Sequence, residues 1–219
     1  MATGLDTRTR LDLRGRTITT CIAYEVHQAL SQLHEGDRVD VVTDAFTAID
    51  TDLHAWCRVT GNVLVDHDIS GSMWRFTIEK GTPRRSTRKF AAVIEDAGLF
   101  ELLAPLGFAL AAALEGHDVS LYFQGPAVKV LAEGYVAKMH GLGRPFSRFP
   151  RAGLDKIGHV PPQEKLRQLQ SLGAHFYACG PSMEHFKVAE SDFAIDGVIV
   201  AEYLTFMEQM NQADIHVYS

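Results

Sequence analysis

One cysteine of this 219-residue chain lies in a setting that favours nucleophilic chemistry. Cys179 follows an apolar run, 174–178, that is typical of a buried strand, and it precedes Gly180 and Pro181, which favour the beginning of a helix. Strand ends of α/β sheets often carry the chemistry of the fold, and free N–H groups at a helix N-terminus favour a thiolate over a thiol. The pattern therefore predicts a reactive thiol at Cys179, with a small buried core residue as the alternative.

Several other residues are candidates to support a thiolate at this strand end. The backbone N–H groups from Gly180 to Ser182 would stabilise its negative charge. His185 is a candidate for electrostatic support, as are Arg144 and Arg148, which belong to a long basic segment rich in Gly and Pro. A solvated loop is the alternative for that segment.

The other two cysteines have different predicted surroundings. Cys21 lies at the start of a predicted helix, about 100° around the axis from the apolar face, so we expect its thiol to be at least partly exposed. Thiolate chemistry and an incidental surface cysteine both remain open for Cys21. Cys57 follows Trp56 and lies four residues after Leu53, so we expect it to pack in the core.

The sequence predicts neither a metal site nor an organic cofactor. Its ten histidines include no HExxH motif and no close Cys/His pair, so we expect solvated or core-edge positions for most of them. There is no P-loop and no Gly-x-Ser-x-Gly elbow, and Gly141-Leu142-Gly143 opens no helix after a strand.

Composition and charge exclude several classes of protein. A net charge of −6 argues against a general nucleic-acid partner. No apolar run approaches the roughly eighteen residues that a membrane span needs, and the first residues lack the regions of a secretory signal. Three cysteines without CxxC spacing argue against a disulfide scaffold and a zinc ribbon, which predicts a reducing cytoplasm.

Two domains are predicted, 1–80 and 89–219, joined by a basic linker at 81–88 that contains a turn former and no apolar residue. In the first domain, strands and helices follow in the order βαβαββ. That order predicts a two-layer sandwich with both helices on one face of a four-stranded sheet.

The second domain alternates apolar strands with helices, which predicts an α/β fold with a mainly parallel five-stranded sheet and helices on both faces. Predicted helices span 99–114 and 127–139, and a long irregular stretch spans 140–162. Strands are predicted at Phe90–Ile94, Val119–Phe123, Ala174–Ala178, near Val198–Val200, and at Ile215–Tyr218.

Both predicted domains contain several short motifs. They are Leu11-Asp12-Leu13-Arg14-Gly15, Ala29-Leu30, Gly36-Asp37, Ala55-Trp56 and Phe76–Gly81 in the first domain, and Ala178-Cys179, Ser182-Met183, Ile195-Asp196-Gly197-Val198 and Ala213-Asp214 in the second. With these motifs, the first domain resembles the TusA/SirA sulfur-carrier family, and the second resembles the DsrE/DsrF-like family. The resemblance covers nearly all of both domains and implies that they move sulfane sulfur between proteins as a cysteine persulfide.

The first domain departs from its family at the motif that carries the chemistry. TusA-like proteins have Cys-Pro-x-Pro three residues after the Gly that ends the first strand. Counted from Gly15, that position is Ile18, and the helix opens with neither proline. Either Cys21 has taken over the carrier role from a neighbouring helix position, or the domain is a silent docking module, which we slightly favour. Cys179 keeps its family's pattern.

The sequence therefore predicts a cytoplasmic sulfur-trafficking protein that accepts and passes on sulfane sulfur as a persulfide on Cys179, with Cys21 as the second candidate. Persulfide donor and acceptor proteins are the expected partners, and the resemblance implies a homo-oligomer. The alternative is a non-catalytic adaptor or redox sensor that docks sulfur-pathway proteins. A thiol peroxidase is disfavoured because no resolving cysteine is evident.

Overall fold

The computed structural model describes residues 9–84 and 86–219, apart from the side chains of Leu142 and Arg144. The described chain forms two units. The first unit contains residues 9–84 with Lys156–His159, and the second contains Ser86–Asp155 with Val160–Ser219. Along the chain, the change from the first unit to the second falls within the predicted linker, 81–88.

The first unit is a four-stranded sheet with two α-helices. Its sheet order is β1-β2-β4-β3, with β1 parallel to β2 and the other pairs antiparallel. The predicted βαβαββ order is confirmed. The elements are β1 (Thr9–Asp12), α1 (Thr19–Ser31), β2 (Arg38–Asp44), α2 (Thr47–Thr60), β3 (Val63–Asp68) and β4 (Met73–Glu79).

Helix α2 packs because its apolar residues recur at helical spacing. Ile49, Leu53 and Trp56 are buried on one face, and the sheet contributes fully buried Phe76 to the same core. The helix ends at Gly61, which adopts the left-handed conformation (φ +87°) that glycine takes without strain.

The first residues of the predicted linker pack against the end of α2. A Cβ atom on Gly81 would overlap the backbone carbonyl of Gly61, so the two backbones approach more closely than any side chain allows. The N–H of Arg84 donates a hydrogen bond to the Thr60 carbonyl (3.1 Å). Residues 81–84 therefore belong structurally to the first unit.

Strand β3 contains a bulge that changes which side chains face the helices. The register with β4 shifts by one residue between Leu64 and Asp66, so His67 lies opposite Phe76. Opposed residues of an antiparallel pair point to the same face, and Phe76 is buried on the helix-covered face. Without the extra residue, Asp66 would take the position opposite Phe76.

The second unit is a parallel five-stranded sheet, as predicted, and its strand order is β8-β7-β6-β5-β9. Its central strands β5, β6 and β7 are buried almost throughout, which matches their continuous apolar sequences. The elements are β5 (Lys89–Ile94), α3 (Leu103–Leu114), β6 (Asp118–Phe123), α4 (Arg148–Lys156), α5 (Pro162–Ser171), β7 (His175–Cys179), α6 (Gly180–Phe186), β8 (Ile199–Ala201), α7 (Tyr203–Gln212) and β9 (Ile215–Tyr218).

Two predicted segments of the second unit differ from the structure. The helix predicted at 127–139 is wrong: a short 3-10 helix spans Gly125–Leu131, and Gly134 has φ +72°, outside the right-handed helical region. The stretch 140–162, predicted to be irregular, contains a 3-10 helix at Gly141–Phe146 and then α4. Among the described residues, no helix has both the length and the apolar character that crossing a membrane requires.

Candidate functional site

Cys179 is the last residue of β7, at the carboxyl end of the parallel sheet, with β6 and β8 on either side. Its backbone is extended and it is the N-cap of α6, whose first turn contains Pro181. The predicted strand-to-helix junction is confirmed. Helix α6 has seven residues, so its dipole adds only a small field at the sulfur. The side chain is only 4% exposed.

The sheet register brings a tyrosine close to this cysteine. Tyr122 on β6 is the register partner of Tyr177 on β7, and Cys179 lies two residues beyond Tyr177. Because side chains two residues apart on a strand share a face, all three project from the same face of the sheet.

The hydroxyl of Tyr122 is buried and makes no hydrogen bond of standard geometry to any described residue. Burial raises the pKa of the Tyr122 phenol, and the nearby Cys179 sulfur raises it further. The phenol therefore keeps its proton at neutral pH, and its O–H is a donor beside the sulfur. Because sulfur is a weak acceptor, other contacts must hold the side chain in place.

Aromatic packing against α7 provides those contacts. The Tyr122 ring stacks on Phe206, with centroids 4.9 Å apart and planes 19° from parallel, and Tyr203 meets it edge-on at 6.1 Å. Tyr177 packs edge-on against the same Phe206 at 5.3 Å. The position of the Tyr122 hydroxyl is therefore set by its ring.

Ser182 joins α6 to the chain that follows β6. The backbone N–H of Gly125 donates a hydrogen bond to the Ser182 hydroxyl oxygen (2.9 Å). In the same region, the Lys129 ammonium lies 4.6 Å from the centre of the Phe186 ring. These two contacts hold the helix that follows Cys179 against the 3-10 helix Gly125–Leu131.

The remaining predicted residues are less closely tied to Cys179. Gly180 adjoins it directly. His185 is exposed and packs edge-on against Phe186 at 4.7 Å, and the exposed Arg148 guanidinium lies 4.9 Å from the Phe149 ring. The contacts described for these two side chains are with neighbouring phenylalanines rather than with the sulfur. The side chain of Arg144 lies outside the described part of the chain, so its role stays a prediction.

The expected exposure of Cys21 is wrong: its side chain is 1% exposed. The first turn of α1 buries Thr19, Ile22 and Ala23 as well, so it is covered on more than its sheet-facing side. The spacing of apolar residues along the helix predicts burial only on the sheet-facing side. A segment distant in sequence, Lys156–His159, belongs to the same unit, and its Ile157 carbonyl accepts a hydrogen bond from Thr17 just before α1 (2.9 Å).

The expectation that Cys57 packs in the core is confirmed, since it is buried on α2. Burial raises the pKa of the Cys57 thiol to about 12. At neutral pH this cysteine is a protonated thiol and not a nucleophile.

Sequence reasoning missed the Tyr122 contact and two polar clusters. Tyr122 stands in an apolar strand, and only the cross-strand register, which the sequence does not contain, places its hydroxyl beside Cys179. The clusters join residues that are close in space but come from separate elements. They are Asp50 with His54 and His67 in the first unit, and Asp96 with Glu101 and His140 in the second.

Comparisons with known proteins assign the second unit first. The model of the DsrE/DsrF-like family matches residues 90–218, more than half of the chain. The chain belongs to the DsrE/DsrF-like family. The model of the sulfurtransferase TusA matches residues 22–80, so this DsrE/DsrF-like protein also carries a TusA-like domain, as the motifs predicted. The TusA match begins one residue after Cys21.

A solved structure with similarity to this DsrE/DsrF-like protein is the crystal structure of the ychN protein from E. coli. It is 14% identical, with a TM-score of 0.43, and the match covers 61% of this chain and 100% of that chain. No curated protein matches the sequence. The DsrE/DsrF-like and TusA families are related to sulfur relay, which supports a role in sulfur trafficking with protein partners.

Proposed function

We propose that this DsrE/DsrF-like protein is a sulfur carrier, which accepts sulfane sulfur as a persulfide on Cys179 and passes it to an acceptor protein. The observation that carries the proposal is the position of Cys179. It ends a central parallel strand inside the matched family region, and the protonated hydroxyl of Tyr122 lies beside its sulfur.

Loading is an exchange without net oxidation. The Cys179 thiolate attacks the outer sulfur of a donor persulfide, R–S–SH, and the donor's S–S bond breaks. The donor leaves as R–S⁻, and the protein holds Cys–S–SH. In discharge, an acceptor thiolate attacks that outer sulfur, and Cys179 leaves again as a thiolate.

Tyr122 is the proposed supporting residue for both steps. Its O–H would donate a hydrogen bond to the sulfur when Cys179 is a thiolate, which is the reactive form in loading and the leaving form in discharge. Because its own pKa is raised, the phenol does not lose this proton to the thiolate. Exchange also requires a local opening, since only 4% of Cys179 is exposed.

Persulfide donors and acceptors are the partners that this proposal requires, in a reducing compartment such as the cytoplasm. No nucleic acid, membrane or cofactor takes part in the exchange. A homo-oligomer remains an expectation from the family resemblance. Because Cys179 lies inside the matched family region and keeps its motif, while the TusA match begins after Cys21 and the Cys-Pro-x-Pro motif is lost, we assign the first unit a docking role and Cys179 the chemistry.

Peptide mapping tests the proposal directly. The full chain is incubated with a small-molecule persulfide donor, alkylated and digested, and the added sulfur is located by mass spectrometry. We expect a gain of about 32 Da, one sulfur atom, on the Cys179 peptide and not on the Cys57 peptide. The loaded protein is then mixed with a thiol acceptor, to which the sulfur should move. Loading without discharge would instead support a redox sensor.

Tyr122→Phe should slow both loading and discharge by about tenfold to a hundredfold, as expected for removing one donor to a developing charge. The variant should keep nearly the same stability, because the deleted hydroxyl makes no hydrogen bond of standard geometry in the described part of the chain. Rates come from single-turnover mass spectrometry, and stability comes from denaturant unfolding.

The matched control is Tyr177→Phe. Tyr177 lies on the same face and contacts the same Phe206 ring. Its pKa is raised by burial and by the charges of Asp118 and Glu208, and the Cys179 sulfur is not among the causes. Its removal should leave the transfer rates unchanged. Equal losses in the two variants would show that the Tyr122 hydroxyl has no specific role.

A further inference from the structure

Three side chains of the first unit converge on one point from two elements. Asp50 and His54 are four residues apart on α2 and therefore share a face of the helix, while His67 lies on β3. Asp50 Oδ1 is 3.5 Å from His54 Nε2 and 3.3 Å from His67 Nδ1. The two nitrogens are 3.3 Å apart. One oxygen and two nitrogens thus form a nearly equilateral triangle.

The size of this triangle is the one that a tetrahedral metal ion imposes. Atoms each about 2.1 Å from a Zn²⁺ ion and separated by the tetrahedral angle lie about 3.4 Å from each other. Two imidazole nitrogens exclude Mg²⁺ and Ca²⁺, which take oxygen ligands. A carboxylate with two histidines is instead a donor set that suits Zn²⁺ and its first-row neighbours.

Hydrogen bonding accounts for only part of the cluster. The two ring nitrogens, 3.3 Å apart, are within hydrogen-bonding distance of each other. Asp50 Oδ1 is buried, and no described residue gives it a hydrogen bond of standard geometry, although both imidazoles lie close by. A buried carboxylate oxygen normally has such a partner, so the orphaned oxygen beside two ring nitrogens is a second observation that fits a metal ligand.

The cluster of the second unit shows the contrast. There His140 Nε2 lies 2.6 Å from Asp96 Oδ1, a normal hydrogen-bond length, and 3.8 Å from Glu101 Oε2. The hydrogen bond between His140 and Asp96 accounts for that contact without a metal, and Asp96 Oδ1 is not left without a partner.

The fold positions the third ligand through the bulge in β3. The bulge puts His67 on the helix-covered face, where it meets His54 with ring centroids 5.2 Å apart at 83°. The side chains of Asp50, His54 and His67 are 25%, 42% and 40% exposed, so an ion can enter from solvent. Three protein ligands with access to solvent leave a fourth position for water or an exogenous donor.

We propose that Asp50, His54 and His67 form a binding site for one Zn²⁺-like divalent transition metal, with an open fourth position. The site lies in the TusA-like domain and is independent of sulfur transfer at Cys179. It differs from the expectation, drawn from the sequence, of solvated or core-edge positions for most histidines. The site was not predicted from the sequence because the separation between His54 and His67 along the chain matches no short ligand motif.

Metal titration of the full chain tests the site. The protein is stripped with a chelator, its cysteines are kept reduced, and Co²⁺ is added while the visible absorption is recorded. We expect one Co²⁺ per chain with the intense absorption of a four-coordinate ion, displaced by Zn²⁺. His54→Gln and His67→Gln should each weaken binding at least about a hundredfold. Zn²⁺ should also raise the unfolding midpoint of the wild type but not of these variants.

Two other histidines provide matched controls. His34 is on the first unit with its side chain 98% exposed, and His140 belongs to the hydrogen-bonded cluster of the second unit. His34→Gln and His140→Gln should bind Co²⁺ like the wild type. Binding weaker than about 1 mM, or an equal loss in either control, would overturn the proposal.

Discussion

Replacing Cys179 with serine should lower the rate of sulfur transfer to an acceptor thiol by at least about a thousandfold, because the nucleophile and the leaving group are the same atom. The protein should remain folded, since serine is similar in size to the cysteine that it replaces. Transfer is measured with a thiol acceptor after loading with a persulfide donor, and folding is checked by circular dichroism.

Cys21→Ser separates the two units in the same assay. If the TusA-like domain is a docking module, this variant loads and discharges a small-molecule donor like the wild type. The opposite result, transfer that survives Cys179→Ser and disappears with Cys21→Ser, would move the chemistry to α1 and refute the proposed function. Cys57→Ser should change neither step, because the raised pKa keeps this buried thiol protonated.

Gly81→Ala should lower the free energy of unfolding of the first unit by about 2–3 kcal/mol or more, because the new Cβ would overlap the Gly61 carbonyl. The obstacle is backbone rather than a flexible side chain, so relief requires the end of α2 or the chain after β4 to move. Both tryptophans of the chain, Trp56 and Trp74, lie in the first unit, so tryptophan fluorescence during denaturant unfolding reports on this unit.

Gly107→Ala is a control for which we expect the opposite change in the free energy of unfolding. Gly107 lies within α3, and a Cβ atom there would meet nothing within 4 Å. Alanine should stabilise that helix by about 0.5–1 kcal/mol without shifting the tryptophan transition. An unchanged fluorescence midpoint for Gly81→Ala would show that the two backbones separate at little cost, and that 81–84 behave as a free linker after all.

The sequence predicted several elements for which the signal was local. The apolar run at 119–123 forms a buried strand. The spacing of its apolar residues predicted helix α2, and Gly61 predicted where that helix ends. The junction after Cys179 was predicted on the same basis, from a strand pattern followed by Gly-Pro. Local patterns sufficed for these features because each depends on residues within one or two turns.

Features that depend on pairing across the fold were not predictable in this way. The proximity of Tyr122 to Cys179 follows from the β6–β7 register, and the position of His67 follows from one extra residue in β3. The burial of Cys21 involves surroundings that helical spacing does not describe. For Tyr122 and His67 the decisive neighbour lies on another element, and a shift of one residue in register would have reversed the result.

The burial of Cys179 has a kinetic consequence for a carrier. A persulfide on a side chain that is 4% exposed is shielded from low-molecular-weight thiols, which would otherwise scavenge the outer sulfur from solution. The half-life of the cargo would then depend on how often the site opens as well as on the concentration of cellular reductant. A docked acceptor that promotes this opening would receive the sulfur, while bulk thiols would compete only during rare openings. Selective delivery would thus arise from timing as well as from recognition.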